Sequence, residues 1–468
     1  MRLFAPDDPR PVHFMGIAGA GMSALALVAR RRGVAVTGCD QEADGAGAPA
    51  VSDVRRSGGV VVSGHSPSHV DGARAVVVSS AVPPGHPELE RARALGIPVV
   101  RRAEALAEAV SPGMVVAIAG THGKTTTTAM TTEALAAAGL DPTGIVGGRI
   151  AAWGGNSRIG SDKLFVVEAD EYDKSFLALS PQVAVINNVE ADHLECYGSM
   201  AALEEAFESF AHPARRVIAG ADDPKAVRVA AGTHRPVWTV GLDQRSDIRI
   251  RVLERGAGYS LARVSLPGGQ ALELQLQVPG LHNLRNASAA LAVCLELGAD
   301  LGAAAGSLAA FRGVGRRFEV VGEAGGVLVV DDYAHHEGEI AATLEAARQA
   351  CPGRRVVAAF QPHLFSRTAE HGVAMGRALA AADVVVVTEV YAAREKPVPG
   401  VSGHLVVDGA VAAGASAVRW VPDRGRLASE LAALARPGDV VLTMGAGDIT
   451  AVGPDLLGRL ERAAGVPS

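Results

Sequence analysis

Short apolar runs alternate with helix-length amphipathic stretches along most of the chain, and no other feature restricts the fold as strongly. In the first segment "VHFMGI" reads as a strand, "MSALALVARRRG" as a helix ending at Gly33, and "VAVTGCD" as the next strand. "ARAVVVSSAV" and "IPVVRR" continue the series, with the helical "PELERARALG" between them. Strands separated by helices return parallel to one another, so the pattern predicts parallel sheets with helices on their faces. A Pro–Gly break at Ser111–Met114 marks a linker. The second segment opens with "VVAIAG" and a helix after Lys124, then gives strands at "LFVVEAD", "VAVINNVE", "RVIAG" and "PVWTV". From Asp247 to Pro279 the alternation turns hairpin-like, with "PGG" at a turn, and a helix from His282 to Leu297 closes the segment. The third begins near Val321, where "GVLVVDD", "RRVVAAF", "DVVVVTEV", "AVRWV" and "DVVLTMG" are strands. Each is expected to lead into a helix of about 10–15 residues.

The predicted class is therefore α/β, with three domains, each built on a mainly parallel sheet with flanking helices. They are a Rossmann-like domain over 1–111, a P-loop-type central domain over 112–320 and a Rossmann-like domain over 321–468. A chain of 468 residues is long enough for about three domains.

Bulk properties exclude several classes. The net charge is -6 with no long basic run, which argues against nucleic acid as the main partner. No apolar stretch approaches the roughly 18 residues of a membrane span, so no membrane insertion is expected. The opening "MRLFAPDDPRPVHFMG" is too acidic and proline-rich for a signal peptide. Cys39, Cys196, Cys294 and Cys351 are widely spaced and form no C-x-x-C pair, so neither a structural zinc site nor a disulfide framework is expected, and a reducing compartment fits. A cytoplasmic protein is expected.

Two glycine loops point to phosphate. "AIAGTHGKTTTTAM" lies after a strand and before a helix, but Ile118 stands where the first glycine of G-x-x-x-x-G-K-[ST] belongs. Gly120 and Gly123 still let backbone N–H groups approach phosphate oxygens, and Lys124 supplies the cation. Only five of 44 basic residues are lysines, so a lysine here is a rare choice over arginine. Lys124 is expected on a loop outside the core, with Thr125 and Thr126 opening the helix and the Thr125 hydroxyl within reach of Mg²⁺. Gly16, Gly19 and Gly21 form the second loop, and Asp40 ends the following strand. That fits a dinucleotide such as NAD, any other diphosphate, or a turn with no ligand.

Two acidic clusters follow predicted strands. "VVEADEYDKSF" places Glu168 at a strand end, then Asp170, Glu171 and Asp173; "INNVEADHLECYG" brings Glu190, Asp192 and His193. Carboxylates at the carboxyl ends of parallel strands face the crevice where ligands bind. Hard oxygen donors suit Mg²⁺, and His is its less usual partner.

The motifs "GIAGAGMS", "GTHGKTTTT", "EADEYDKSFL", "NNVEADHLECY", "GLHNLRNA", "GRRFE", "DDYAHHEGE", "QPHLFSRT", "YAAREKPVPGVSG" and "GAGDI" occur in that order from Gly16 to Ile449. The set resembles the Mur ligases of peptidoglycan synthesis. The resemblance implies ATP-dependent joining of L-alanine to UDP-N-acetylmuramate through an acyl phosphate. It assigns Gly120, Thr121, His122, Gly123, Lys124, Thr125, Thr126, Asn283, Asn286, Arg317 and Asp332 to ATP. Within that set Lys124 and Arg317 would face phosphates, Asn283 and Asn286 the adenine, and Asp332 the ribose. Thr125, Glu168 and His193 would be Mg²⁺ positions, and Lys124, Glu168, His193 and Arg317 the catalytic set. Gly16, Ala18, Gly19, Ala20, Gly21, Met22, Asp40 and Ser79 would hold the UDP-sugar. Tyr333, His335, His363 and Arg367 look like the pocket of the incoming amino acid.

Read alone, Asn283 and Asn286 would merely cap a helix, Arg317 would be a surface arginine, and Asp332 would cap a following turn. Leu364 and Glu337 depart from the family pattern, where many relatives have arginine and proline. Other Mur ligases use a carbamylated lysine about fifteen residues past the metal histidine. Here Glu208 occupies that neighbourhood and no lysine lies between His193 and Lys225. Glu208 either turns toward the site or stays solvated. Three alternatives remain: a murein peptide ligase, which should lack "QPHLFSRT"; a nicotinamide oxidoreductase, resting on the first loop alone; and a non-catalytic nucleotide-binding regulator.

Overall fold

The computed structural model describes residues 2–45, 48–393, 395–463 and 465; Arg394 of "YAAREKPVPGVSG" lies outside them. Among the described residues the strands form three sheets. The first is wholly parallel, in the order Val60–Ser63, Val36–Asp40, Val12–Met15, Ala75–Val78, Val99–Arg101. The chain thus winds outward from Val12–Met15 in both directions. The loops after Val12–Met15 and Ala75–Val78 emerge side by side at the point where strand order reverses, which is where ligands bind in open α/β sheets.

The second sheet has ten strands. Its centre is Met114–Ala119, flanked in parallel by Val183–Ile186 and Leu164–Glu168. Arg216–Gly220 and Val237–Gly241 extend one side in parallel, and Thr143–Ile150 with the antiparallel Gly155–Arg158 completes the other. The expected hairpin region forms Ile248–Gly256, Tyr259–Ser265 and Ala271–Leu276, with the predicted "PGG" turn at Pro267–Gly269. The third sheet runs Glu319–Ala324, Val327–Asp332, Val440–Met444, Val356–Phe360, Val384–Val387, Val418–Trp420, and only its first pair is antiparallel.

The central strands are buried on both faces. All of Val356–Phe360 and Val440–Met444 are buried, as are the last five residues of Met114–Ala119. This is why they read as continuous apolar runs and not as alternation. By compactness the chain divides into two units: 1–251 with 262–274 and 285–311, and 252–261 with 275–284 and 312–468.

Four strands escape sequence reading. Val60–Ser63 and Glu319–Ala324 are largely exposed edge strands, and Thr143–Ile150 and Gly155–Arg158 are rich in glycine and polar residues. The strand Val384–Val387 is not followed directly by a long helix. A segment over 388–403 intervenes, and the helix His404–Ala412 has nine residues.

Candidate active site

Strand Met114–Ala119 ends at Gly120, and helix Lys124–Ala137 begins four residues later. Gly120 has φ +134° and Gly123 φ +80°, conformations open to glycine and costly for other residues. A Cβ on Gly120 would come within 2.9 Å of the Asn187 side chain, and one on Gly123 within 2.7 Å of Asn286 Oδ1. The loop is braced from "NNVE". Asn188 Oδ1 accepts from His122 N at 2.7 Å, and Asn187 Nδ2 donates to His122 O and to Thr127 Oγ1. Thr121 Oγ1 accepts from Glu190 N at 2.8 Å. The two motifs thus form one rigid cradle at the N-terminus of a helix, where partial positive charge attracts anions.

Lys124 is not a loop residue, contrary to expectation. It is the first residue of its helix, with a side chain only 14% exposed. Its ammonium donates to Gly120 O (2.7 Å), Thr121 O (3.2 Å) and Glu171 Oε1 (2.9 Å). Burial opposes the charge, but Glu171, Asp170 and Glu168 outweigh it and raise the lysine above its ordinary range. Burial, with Asp170, pushes the Glu171 carboxyl up against the pull of Lys124. The lysine is therefore protonated, desolvated and aimed. Sequence reading had grouped Glu171 with candidate metal acids, and only the fold shows that it holds this lysine.

Thr125 Oγ1 donates to Glu168 Oε1 at 2.9 Å, and Glu168 Oε2 accepts from Gly147 N at 2.6 Å. Thr125 and Glu168 thus meet as predicted. His193 stands in a left-handed turn at φ +57°, within 3.6 Å of Asp192 and 3.5 Å of Glu195 and edge-on to Tyr172. Thr126 is buried, and so is Asn286, which lies against Gly123. Asn283, one turn earlier on helix Leu281–Glu296, donates to Pro279 O. Glu208 neither faces this cradle nor stands in open solvent. Its carboxylate lies 2.5 Å from where a Cβ on Gly232 would be, at the end of helix Pro224–Gly232. Glu208→Gln is accordingly expected to leave the Mg²⁺ concentration for half-maximal rate unchanged, and added bicarbonate should have no effect; Mg²⁺ titration of both proteins checks this.

In the first sheet Gly16 has φ +72°. Gly16 N and Ile17 N donate to Cys39 O at 2.8 and 3.1 Å, and Ala18 N donates to Asp40 Oδ2 at 2.9 Å. Asp40 Oδ1 also accepts from Glu42 N, so Asp40 shapes the loop. Gly19 precedes helix Ala20–Arg31, within which Met22 is buried, and Ser79 follows the adjacent strand Ala75–Val78. Sequence reading missed Arg102, whose guanidinium lies 3.0 Å from where a Cβ on Gly21 would be. It supplies a cation beside the glycine loop, and a short sequence window gives no sign of it.

In the second unit Arg317 donates to Glu339 at 3.2 Å and stacks over Tyr333 at 5.2 Å. Glu339 also accepts from His335 N at 3.0 Å. His335 lies edge-on to Tyr333 and 6.2 Å from His363, and His363 is 3.5 Å from Arg367. The four residues predicted for one pocket are thus a contiguous chain. Glu339, in the first turn of helix Glu337–Ala350, was not predicted and joins His335 to Arg317. Tyr391 stacks on His363 and was also missed. Glu337 pairs with His371 at 3.3 Å. Leu364 caps helix Phe365–Leu379 at φ +69°.

Asp332 is 6% exposed, and both its oxygens are occupied by Phe318 N (2.7 Å), Ala334 N (2.8 Å) and Thr343 Oγ1 (3.1 Å). Burial raises it to about 6 despite Arg317, and burial lowers His335 to about 4. The two act oppositely on stability. Asp332 holds extra native protons above its unfolded value, so its contribution is lost as pH rises toward 6. His335 stabilises above its unfolded value and loses that contribution as pH falls toward 4. Between pH 4 and 6 the stability of Asp332→Asn should therefore climb more steeply with pH than that of the wild type. Denaturant titrations across that range measure the difference.

A glycine cradle, a desolvated lysine and paired hard oxygen donors describe a site that handles nucleotide phosphates. Three family models match in sequence order: the Mur ligase family catalytic domain over 11–112, the Mur ligase middle domain over 118–294, and the Mur ligase glutamate ligase domain over 316–447. The chain belongs to the Mur ligase family. It is 48% identical to a UDP-N-acetylmuramate–L-alanine ligase of Kineococcus radiotolerans over 96% of both chains. It is 45% identical to that of Cutibacterium acnes over 99% of both. Among solved structures, UDP-N-acetylmuramate–alanine ligase from Thermotoga maritima superposes with a TM-score of 0.82 at 30% identity, covering 97% of this chain and all of the other. A murein peptide ligase from Psychrobacter arcticus gives 0.71 at 26% identity, covering 96% and 98%.

Proposed function

We propose that this protein joins L-alanine to the carboxylate of UDP-N-acetylmuramate, forming UDP-N-acetylmuramoyl-L-alanine, ADP and phosphate. The observation that carries the reading is likeness along essentially the whole chain to ligases of that name. A murein peptide ligase is less favoured: that structure superposes less well, and "QPHLFSRT" is present. Three domains, 1–111, 112–320 and 321–468, would serve the UDP-sugar, ATP and the amino acid in turn.

The carboxylate is a poor acyl donor until phosphorylated, and bringing it against a triphosphate is repulsive. Lys124 offsets that repulsion from its fixed place at the helix N-terminus, and Arg317 is assigned to the γ-phosphate. The donor set fits Mg²⁺, because the Thr125 hydroxyl and Glu168 carboxylate already meet at 2.9 Å and both are hard oxygen ligands. Bound there, with His193 as a further position, Mg²⁺ would neutralise phosphate charge. Asn286 beside Gly123, and Asn283, would take the adenine. Tyr333, His335, His363 and Arg367 would receive alanine. Burial lowers His335 to about 4, which makes it a poor base for the alanine amine near neutral pH.

The reaction belongs in the cytoplasm on this reading. All four cysteines are free, and among the described residues no helix is long and apolar enough to cross a membrane. Phosphate release should require ATP, UDP-N-acetylmuramate and L-alanine together. Equal release with either the sugar nucleotide or the amino acid omitted would refute the ligase reading.

A further inference from the structure

Away from the nucleotide cradle, the first sheet collects a set of side chains that phosphate binding does not use. Glu88, fully buried in the first turn of helix Pro87–Ala94, has ion pairs only with histidines among those described: His65, His69 and His86. Cys39, at the end of its strand, and His13, on the neighbouring strand, are buried beside it. Three atoms of this set form a nearly equilateral triangle. Cys39 Sγ to Glu88 Oε2 is 3.2 Å, Cys39 Sγ to His65 Nδ1 is 3.3 Å, and His65 Nδ1 to Glu88 Oε2 is 3.2 Å. His13 Nε2 lies 3.4 Å from Cys39 Sγ and within 4.8 Å of a Glu88 oxygen, but it does not share that radius with His65, so an ion would have to draw the two histidines together.

These separations are those of a metal's ligands. Tetrahedral bonds of about 2.0–2.3 Å place ligand atoms about 3.3–3.8 Å apart, so the triangle needs to open by only a few tenths of an ångström. Without an ion the set is held by hydrogen bonds: the Cys39 thiol donates to Glu88 Oε2 at 3.2 Å, and the ring N–H of His13 (3.4 Å) or His65 (3.3 Å) can donate to the sulfur.

The outer contacts orient the same atoms. His13 Nδ1 is held by Thr37 Oγ1 at 3.0 Å, which leaves Nε2 for the centre. Glu88 Oε1 is taken by His69 Nδ1 (2.8 Å) and Ser66 N (3.0 Å), which leaves Oε2. A ligand whose other polar atom is fixed by an outer partner is the usual arrangement at metal centres. His65 forms the accessible side, with a side chain 23% exposed, and gives an ion a way in.

We propose that Cys39 Sγ, His65 Nδ1, Glu88 Oε2 and His13 Nε2 form a binding site for a divalent transition-metal cation of the zinc class. One thiolate, two imidazoles and one carboxylate match zinc chemistry, whereas Mg²⁺ takes oxygen ligands. Binding exchanges the Cys39 S–H bond for a metal–sulfur bond and releases one proton to solvent. Burial, and next the Glu88 charge, pushes this thiol well above its ordinary range, so in the absence of metal the proton stays on sulfur. The site also adjoins the glycine loop, because Cys39 O accepts from Gly16 N and Ile17 N. A bound ion would brace that loop from behind.

The test uses the full chain, stripped with a chelator and titrated with Zn²⁺ and, separately, Co²⁺. One Zn²⁺ per chain with release of one proton is expected. Co²⁺ should give a sulfur-to-cobalt charge-transfer band and the intense visible bands of a tetrahedral site. Cys39→Ser should abolish the charge-transfer band. Thr37→Val, which removes only the outer contact to His13, should weaken Zn²⁺ binding by about 10–100-fold. His65→Gln, on the accessible side, should weaken it at least as much and decides the matter if Cys39→Ser fails to fold. Glu168→Gln and His193→Gln should keep the cobalt spectrum. No charge-transfer band in the wild type, or Zn²⁺ binding unaltered by His65→Gln, would overturn the proposal.

Discussion

Lys124→Ala is expected to lower turnover by about 10²–10³-fold or more, the scale of losing one preorganised charge-stabilising group. The same change should also reduce stability, because it strands Glu171, which is 2% exposed and pairs with the ammonium at 2.8 Å. Breaking a buried pair by removing one partner costs about 3–5 kcal/mol. The two effects separate in the double variant Lys124→Ala, Glu171→Gln. Removing the second charge should recover most of the stability and none of the activity. Thermal denaturation and steady-state rates of the wild type and the two variants measure this, and a single variant within a few-fold of wild-type turnover would remove Lys124 from the phosphate site.

Arg317→Ala should be the second large effect, roughly 10³-fold in kcat if the guanidinium meets transferring phosphate charge. Arg317→Lys keeps the charge but loses the planar stack on Tyr333 and the fixed geometry toward Glu339, so an intermediate loss is expected. The informative comparison is kcat against the KM for ATP. A change in KM alone would mean that Arg317 contributes ground-state binding and nothing specific to the transition state.

The central parallel strands were legible because burial on both faces leaves a continuous apolar run, as in "VVAAF" and "VVLTM". An exposed edge strand such as Val60–Ser63, or a glycine-rich strand such as Thr143–Ile150, carries no such mark. The glycine loops were also legible as strand-to-helix turns, and there Gly120, Gly123 and Gly16 adopt the positive φ that glycine permits. Partnerships across the chain were not. Glu171 holding Lys124, Glu339 joining Arg317 to His335, and Arg102 covering Gly21 are made when distant segments meet. Asp332 illustrates the overlap of the two kinds of role. Its oxygens are spent on Phe318, Ala334 and Thr343, so the turn-capping alternative describes its present contacts.

The most direct measurement of the central claim follows oxygen from one substrate into one product. The carboxylate of UDP-N-acetylmuramate is labelled with oxygen-18, and the phosphate released in the presence of ATP and L-alanine is analysed by mass. A carboxylate oxygen attacks the γ-phosphorus, and the amine of alanine then expels that oxygen with the phosphoryl group. The account predicts one labelled oxygen in each phosphate and one retained in the new amide. Unlabelled phosphate would contradict it, since ATP would then have been cleaved without passing through the acyl phosphate.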